Sequence, residues 1–169
     1  VNPEQFILGT IHRDHNTDNP EKLTSIFKAI DKISKDHAID VVLPLHPRTN
    51  KLLKNNLSED VYNSIQKNER IIITEPVSFL DMIMLEKNAT AILTDSGGIQ
   101  KEAYFHRTPC ITLRDVTEWV ETVEAGWNQV VGAKTEKIVR AVKQIREGSV
   151  INEYGNGDSG HEMIKLMIK

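Results

Sequence analysis

The sequence is short of the features that mark secreted and membrane proteins. It has one cysteine, Cys110, in 169 residues, which excludes an internal disulfide framework, and the apolar run around Cys110 suits a small buried side chain. No apolar stretch approaches the length needed to cross a bilayer, and the first residues lack the basic and apolar segments of a signal peptide. We therefore expect a protein of the reducing cytoplasm that does not contact a membrane.

An excess of one charge is also missing. The formal net charge is -3, from 24 acidic and 21 basic side chains interspersed along the chain, so there is no basic face for nucleic acid and no acidic tail for a basic partner. The paired Cys and His-x-x-x-His spacings of zinc sites are absent, as is the Gly-x-Ser-x-Gly turn of many hydrolases. We predict no nucleic-acid partner, no metal and no cofactor.

The length of the chain sets the number of domains. A chain of 169 residues forms one domain with a sizeable core, and a second full domain would not fit. The sequence begins at Val1-Asn2-Pro3 without a methionine and enters a strand-like run within a few residues. We expect residues 1–169 to be one domain, cut at a linker from a preceding domain.

Short apolar runs alternate with amphipathic segments along the chain. The predicted buried strands are 6–11, 40–45, 71–74, 89–94, 110–113 and 129–131. The predicted helices are about 20–35, 51–66, 79–87, 98–106, 118–125, 135–147 and 161–168, the first with the capping sequence Asp18-Asn19-Pro20-Glu21. This alternation predicts an α/β fold, a Rossmann-like doubly wound parallel sheet with helices on both faces. Such sheets bind ligands beyond the carboxyl ends of their strands.

A turn of small residues follows the fourth predicted strand. Asp95-Ser96-Gly97-Gly98 leads directly into a helix, where free N–H groups and the helix dipole favour an anion and two glycines let a ligand approach the backbone. We predict that this turn binds a phosphate or diphosphate. Glu102 lies four residues beyond Gly98 on the same helical face and suits the hydroxyls of a ribose. The alternative is a capped helix after a tight turn, with no ligand.

Histidine and arginine follow the first two predicted strands. His12 and Arg13 follow the first strand, and His46 and Arg48 follow the second. Guanidinium groups bind oxyanions in bidentate fashion, and histidine donates or shuttles protons near neutral pH. Cations at two neighbouring strand ends therefore suit a diphosphate. For each residue taken singly, the alternative is a polar surface loop without function.

Another arginine and an acid follow the fifth predicted strand. Arg114 and Glu118 lie in a segment that continues into Trp119. Arg114 is either a ligand-binding cation or the ion-pair partner of Asp95 or Glu118. Trp119 and Trp127 fit core or interface positions better than ligand stacking, because tryptophans more often take those roles.

These segments together resemble the C-terminal half of the UDP-N-acetylglucosamine 2-epimerase family, which has the two-domain architecture of GT-B glycosyltransferases. The resemblance spans nearly the whole chain, and the order and spacing of its segments make it specific. The segments are Thr10-Ile11-His12-Arg13 with Asn16 and Asn19-Pro20, Pro44 to Thr49, Thr94 to Ala103, Leu113-Arg114 with Thr117-Glu118, Glu124-Ala125-Gly126 with Asn128, and Tyr154 to Asp158.

The resemblance implies 2-epimerisation of a UDP-sugar for polysaccharide assembly, by anti elimination of UDP and its re-addition after inversion at C2. His12 is then the catalytic residue of this chain, near the diphosphate. The principal acid/base carboxylates belong to an N-terminal domain that this chain does not contain, so we expect the chain alone to be inactive. We also expect the whole enzyme to be a homodimer. The substrate-binding residues are Arg13, His46, Arg48, Phe79, Met82, Asp95, Ser96, Gly97, Gly98, Glu102, Arg114 and Glu118.

Three segments depart from the family pattern. His15 stands where a glutamate commonly precedes the asparagine of the His-Arg segment. Pro76, Phe79 and Met82 stand in the spacing of Pro-x-x-Tyr-x-x-Phe, the usual uracil pocket, and a methionine covers a base face less well than an aromatic ring. Trp119 replaces the arginine of Thr-Glu-Arg-Pro-Glu, and such a form resembles the branch that includes epimerases of diacetamido-uronic acid sugars. These departures leave the sugar open.

Other interpretations differ in reaction or in class. A hydrolysing relative would release free N-acetylmannosamine and UDP, and a GT-B glycosyltransferase would bind its nucleotide-sugar donor in a domain of the same fold. The presence of both motifs, residues 46–49 and residues 95–98, favours the epimerase over the transferase. A free-standing UDP-binding module is the non-catalytic alternative, and an acid-containing Rossmann-like domain upstream of Val1 would exclude it.

Overall fold

One parallel sheet organises the molecule. The structure, a computed structural model, describes residues 5–150, 152–155 and 157–168. Six strands lie in the order β3-β2-β1-β4-β5-β6, and every neighbouring pair is parallel. This confirms the predicted Rossmann-like, doubly wound α/β fold. The strands are β1 (Phe6–Thr10), β2 (Asp40–Pro44), β3 (Ile71–Thr74), β4 (Ala91–Thr94), β5 (Cys110–Thr112) and β6 (Asn128–Val130).

Helices connect the strands and cover both faces of the sheet. They are α1 (Asp14–Thr17), α2 (Pro20–His37), α3 (Pro47–Asn56), α4 (Glu59–Lys67), α5 (Phe79–Asn88), α6 (Gly97–His106), α7 (Val120–Glu124), α8 (Thr135–Lys143) and α9 (Ser159–Met167). The sequence pattern does not predict the short α1, and the predicted helix over 51–66 is two helices, α3 and α4. The break lies at Leu57 and Ser58, which are extended. Leu57 is buried there, and the Ser58 N–H donates to Thr24 Oγ1 at 3.1 Å.

Helix α2 is the main cover of one face. Pro20 is its first residue, and the Asn19 side chain accepts a hydrogen bond from the Lys22 N–H, as the capping sequence predicts. The helix ends at Ala38, which has a left-handed φ of 50°. Its apolar side chains recur every three or four residues and are fully buried in the larger core cluster, together with residues of α8. They are Leu23, Ile26, Phe27, Ile30 and Ile33.

Helices α5 and α6 cover the opposite face with a smaller apolar cluster. Ala103 of α6 packs there with Leu8 of β1 and Cys110 of β5. Met82 of α5 and Ile99 of α6 are partly buried against the same cluster. The predicted burial of Cys110 is confirmed, and that burial raises the pKa of its thiol to about 12. The two helices therefore meet over the sheet beside the carboxyl ends of the strands.

The strand order reverses between β1 and β4. The last residues of these strands, Thr10 and Thr94, are joined by a 2.7 Å hydrogen bond between their hydroxyls. Beyond this pair the chain leaves the two strands toward opposite sides, which opens a crevice at the usual ligand position of this fold. The polar residues selected from the sequence follow these strands, so the fold brings them to one edge.

The end of the described chain carries an exposed helix. Helix α9 has no buried residue, and its apolar side chains, Met163 and Leu166 among them, are exposed. Residues 1–3, at the expected start of the domain, and Asn156, in the segment Tyr154 to Asp158 of the family resemblance, lie outside the described residues. Within the described ranges, no helix combines the length and the apolar character of a membrane span.

Candidate functional site

A pocket of about 450 Å³ lies at the carboxyl ends of β1, β2 and β3. His12 lines it from the end of β1, and His46 and Arg48 line it from the end of β2. Met82 of α5 and Ile99 of α6 supply an apolar wall. The pocket therefore combines cationic or proton-carrying side chains from two strand ends with a surface suited to a flat, weakly polar group.

A second pocket of about 370 Å³ lies across the crevice, beyond the ends of β1 and β5. Arg13 and Asn16 line it from β1, and Arg114 and Asp115 line it from β5. Two guanidinium groups thus border this cavity from separate strands. Positive charge at both positions suits an anionic ligand that crosses the reversal of strand order.

Asp95 holds the turn after β1. It is fully buried, and its carboxylate accepts hydrogen bonds from the N–H groups of His12 at 3.1 Å and Arg13 at 3.2 Å. The Asn16 amide donates to it at 3.0 Å. These donors belong to the protein itself, so the Asp95 carboxylate fixes the positions of His12 and Arg13, and a direct contact between Asp95 and a ligand stays a prediction.

The His12 side chain lies above this buried carboxylate. Its Nδ1 is 3.7 Å from Asp95 Oδ1, and the side chain is 44% exposed. The imidazole is therefore accessible from the pocket while its backbone is fixed. A ring in this position can donate a proton or a hydrogen bond to a bound group.

The glycine turn opens a helix as the sequence predicts, while its role as an anion site stays a prediction. Helix α6 begins at Gly97, after Ser96 in an extended conformation, and the Ser96 N–H donates to Thr94 Oγ1 at 2.9 Å. The first N–H groups of a helix have no partner within it. A β-carbon at Gly97 or Gly98 would meet nothing closer than 3.7 Å. Protein packing alone therefore does not require glycine at either position.

The loop after β5 supports the glycine turn from behind. Trp119 Nε1 donates to the Gly97 carbonyl at 2.7 Å. Arg114 pairs with Glu118 through two hydrogen bonds of 3.0 and 2.7 Å, which settles the predicted choice between Asp95 and Glu118. This guanidinium holds the pKa of Glu118 below its usual range. Glu118, the ion-pair partner of Arg114, directly precedes Trp119, which is bonded to the glycine turn. The ion pair therefore holds Arg114 close to that turn.

Arg48 is engaged with acids at the two ends of the neighbouring helix α1, Asp14 as its first residue and Asp18 directly after its last. Its guanidinium contacts Asp14 at 2.6 Å and both oxygens of Asp18 at 2.7 and 2.8 Å. The His46 imidazole Nδ1 accepts the Arg48 backbone N–H at 3.2 Å and caps α3. A direct contact between Arg48 and a ligand therefore competes with two carboxylates, whereas His46 keeps one ring nitrogen for other partners.

Glu102 lies one turn into α6 and faces helix α5. Lys101, its neighbour, places its ammonium group 4.7 Å from the ring centres of both Trp119 and Tyr154. Arg114 is paired with Glu118, so neither cation forms the ion pair with Glu102 that a structural role would require. The side chain that interacts with Glu102 across the helix interface is another carboxyl group, that of Glu86 in α5.

The apolar wall includes only one of the two side chains selected for a base pocket. Met82 and Pro76 line the 450 Å³ pocket. Phe79, at the first position of α5, is 72% exposed and is not part of that lining. The described geometry therefore supports Met82 in this role, while the role of Phe79 stays a prediction.

Sequence reasoning missed two residues of the site. The bond from Trp119 to Gly97 depends on the loop after β5 lying behind α6, which no local pattern shows. Glu86 left no clear local signal, because it follows the apolar Leu85 but is itself followed by the polar Lys87. Among the described residues, no group of three His, Cys, Asp or Glu side chains is arranged to hold a metal.

Known proteins resemble the chain along nearly its whole length. The sequence profile of a family described as UDP-N-acetylglucosamine 2-epimerase matches residues 1–168. A UDP-N-acetylglucosamine 2-epimerase of Methanocaldococcus jannaschii is 42% identical over 97% of this chain and 44% of its own length. A UDP-2,3-diacetamido-2,3-dideoxy-D-glucuronate 2-epimerase of Pseudomonas aeruginosa is 40% identical over 97% of this chain and 44% of its own length.

The resemblance extends to solved structures. A crystal structure of the M. jannaschii UDP-GlcNAc 2-epimerase in complex with UDP-GlcNAc and UDP has a TM-score of 0.83 and 42% identity, over 96% of this chain and 44% of that one. The chain thus spans less than half the length of these relatives. The family match, the sequence identity and the shared fold together show that the chain belongs to the UDP-N-acetylglucosamine 2-epimerase family.

Proposed function

We propose that the chain is the UDP-binding, C-terminal domain of an enzyme that interconverts UDP-N-acetylglucosamine and UDP-N-acetylmannosamine, or a closely related pair of UDP-2-acetamido sugars. One observation carries the proposal. The glycine turn at the start of α6 adjoins residues of both pockets, since Arg114 of the smaller pocket would lie 3.8 Å from a β-carbon at Gly97 and Ile99 of the larger pocket follows Gly98. A relative in the same family has been solved with UDP-GlcNAc and UDP.

The proposed position of UDP follows the axis of α6. The diphosphate binds the N–H groups of Gly97 and Gly98 and the side-chain hydroxyl of Ser96, where the helix dipole favours negative charge. Glu102 lies four residues beyond Gly98, about 6 Å along the helix axis. A ribose attached to the diphosphate lies at a similar remove, so its two hydroxyls can donate to the Glu102 carboxylate.

The proposed uracil position is the apolar wall of the larger pocket. Met82 and Ile99 line that wall, and a thioether is polarisable enough to pack against the face of a base. Selectivity for uracil then depends on polar groups at the rim of the pocket. Backbone groups near Pro76 at the end of β3 are the nearest candidates on the pocket lining.

The cations around the crevice compensate the charge of the diphosphate. Arg13 and Arg114 border the smaller pocket, and His12 lines the larger one. We assign to His12 the catalytic role of this chain, which is to stabilise or protonate UDP as it leaves. Arg48 is held by Asp14 and Asp18, so its contribution depends on release from those acids.

The proposed reaction has two stages. In the first, a base removes the proton from C2 of the sugar, the C1–O bond breaks, and its electron pair leaves with UDP. In the second, UDP adds again to C1 while a proton is delivered to the opposite face of C2. The acid and base for C2 belong, in this proposal, to an N-terminal domain, and Glu118 and His46 bind substrate from this domain.

The setting of the whole enzyme is part of the same proposal. A single buried Cys110 suits a reducing compartment, and we propose a cytoplasmic homodimer that supplies an activated sugar for polysaccharide assembly. In this proposal the main partner of the chain is the N-terminal domain of the same enzyme, which faces the two pockets across the crevice.

Calorimetric titration tests the nucleotide-binding part of the proposal. UDP, UMP and GDP are titrated separately into the 169-residue chain. We expect UDP to bind more tightly than UMP, because the second phosphate occupies the glycine turn, and more tightly than GDP, because the purine does not fit the Met82 wall. Differences of about tenfold or more are expected for each comparison. Absence of UDP binding, or equal binding of GDP, contradicts the proposal.

A further inference from the structure

A buried glutamate lies between α5 and α6 and lines neither of the two pockets. Glu86 is 1% exposed, and within the described residues no donor reaches either oxygen of its carboxyl group. The nearest cationic candidate, His106 Nε2, is 3.7 Å from Glu86 Oε2, beyond hydrogen-bonding distance. A buried carboxylate without donors is costly, so the neutral acid is the favoured form in this position.

The position of Glu86 connects it to the proposed nucleotide site. Met82 precedes Glu86 by one turn on the same face of α5, and Ile99 precedes Glu102 by one turn on α6. Met82 and Ile99 both line the 450 Å³ pocket and pack on the same apolar cluster. The two glutamates therefore face each other one helical turn behind the pocket wall.

Two facing carboxyl groups need a proton between them. When both are ionised, Glu86 and Glu102 are acceptors only and repel each other. With a proton on one of them, that group donates to the other. Glu86 is the more buried partner, and burial, followed by the charge of Glu102, raises its pKa from 4.5 to about 7. The proton of the pair therefore rests on Glu86 below neutral pH.

We propose that Glu86 is a positioning residue that donates a hydrogen bond, as the neutral acid, to the Glu102 carboxylate and so fixes that carboxylate against the ribose of a bound nucleotide. This inference rests on the proposed role of Glu102 in UDP binding. When Glu86 ionises, Glu102 loses a donor and gains a repelling neighbour. Recognition of the ribose hydroxyls then weakens above neutral pH.

Other titratable groups that face Glu86 are few. From α6 they are Glu102 and His106, and from β5 it is Cys110, whose thiol stays neutral because its pKa is raised to about 12. On α5 itself, Asp81 and Lys87 are exposed. Imidazoles in general change charge between pH 5 and 8, so His106 needs a variant of its own in any test.

The test compares UDP with 2′,3′-dideoxy-UDP by calorimetry, from about pH 6 to about pH 8.5, across the pH range in which Glu86 titrates. Both ligands carry the same phosphates, so the ratio of their dissociation constants cancels the titration of the phosphates. In the parent chain we expect the preference for UDP to fall about tenfold over this range. Glu86→Gln keeps an N–H donor at every pH, so we expect its preference to stay near the value of the parent at the acidic end.

Further variants separate Glu86 from its surroundings. Glu86→Met removes both the donor and the titrating charge, so we expect a preference for UDP that is below that of the parent near pH 6 and does not change with pH. Glu69→Gln makes the same chemical change at an exposed position and should follow the parent profile. His106→Gln should also keep the pH dependence of the parent, and loss of that dependence would assign the effect to His106 and overturn the inference.

The outcomes distinguish the role of Glu86 from the proposed UDP-binding function on which it rests. Parallel pH profiles of the parent and Glu86→Gln, with a clear preference for UDP in both, overturn the role of Glu86 alone. No preference for UDP over the dideoxy ligand at any pH overturns the ribose role of Glu102 and the inference together. No binding of UDP overturns the proposed function itself.

Discussion

At Gly98, the effect of an added side chain on ligand binding can be measured with little effect on the packing of the protein. A β-carbon there meets only Ser96 Oγ, at 3.9 Å, and the position needs no left-handed backbone. The fold therefore tolerates a side chain that a bound phosphate does not, because the phosphate would contact the backbone directly.

We predict that Gly98→Val weakens UDP binding by about a hundredfold, on the order of 3 kcal/mol, because its methyl groups occupy the position of the diphosphate. Stability should change by about 1 kcal/mol or less. Calorimetry measures the affinity, and urea unfolding measures the stability. Gly160→Val, at another uncrowded glycine in α9, is the matched control and should leave UDP binding intact. A folded Gly98→Val variant that binds UDP like the parent would place the diphosphate elsewhere.

Glu102 is the residue that distinguishes ribose recognition from general anion binding. We predict that Glu102→Gln weakens UDP binding by about 1.5 to 3 kcal/mol, typical of a hydrogen bond to a charged group, and leaves 2′,3′-dideoxy-UDP nearly unaffected. Parallel calorimetric titrations of both ligands provide the measurement. If the variant discriminates between the ligands as well as the parent does, Glu102 does not contact the ribose.

At the scale of the elements, the packing of α5 on α6 makes the stability of the fold depend on pH. The pKa of Glu86 is raised from 4.5 to about 7 in the folded state, mainly by burial. The folded protein therefore binds this proton more tightly than the unfolded chain does. The resulting stabilisation is complete below about pH 4.5 and is lost as the pH rises to about 7.

We predict that Glu86→Gln removes this part of the pH dependence. Near pH 8 the variant should be more stable than the parent by on the order of 3 kcal/mol, and the difference should shrink toward about pH 5. Urea unfolding at a series of pH values measures both profiles. The exposed Glu69→Gln variant should run parallel to the parent, and a parallel profile for Glu86→Gln would mean that its carboxyl group does not titrate near neutrality.

The elements themselves were largely predictable, because apolar periodicity and capping residues are local signals. Helix α2 shows this well, since its start at Pro20 follows directly from the capping sequence. The break between α3 and α4 was not predictable, since it depends on Leu57 reaching the core and on Ser58 bonding to Thr24, which is distant in sequence. Local patterns do not carry such contacts.

At the scale of the whole molecule, the site depends on pairings that cross most of the chain. Asp95 binds the turn at His12, and Trp119 binds Gly97. The fold class predicted from the order of elements brought these segments to one edge of the sheet, so the location of the candidate site followed from the sequence. The partners of Arg48, and the facing of Glu86 and Glu102, depend on side-chain packing and did not follow.

We predict that the isolated chain binds UDP-N-acetylglucosamine but does not epimerise it. The groups assigned to UDP lie in this chain, whereas no acid or base for C2 is assigned here, and general acid–base catalysis supplies about 10²- to 10⁴-fold in such steps. Proton NMR of UDP-N-acetylglucosamine in D₂O, followed for loss of the C2 proton signal and appearance of the epimer, is the measurement. Turnover by the purified chain would require the catalytic pair to lie within it.

The hydrogen bond between Trp119 and Gly97 places an intrinsic fluorophore at the glycine turn. The indole lies directly behind the proposed diphosphate position, whereas the second tryptophan, Trp127, is 4% exposed and donates to the Ser149 carbonyl away from the turn. Tryptophan fluorescence should therefore change when UDP binds. We expect Trp119→Phe to abolish the change and Trp127→Phe to preserve it, so nucleotide binding can be followed by emission without an attached label.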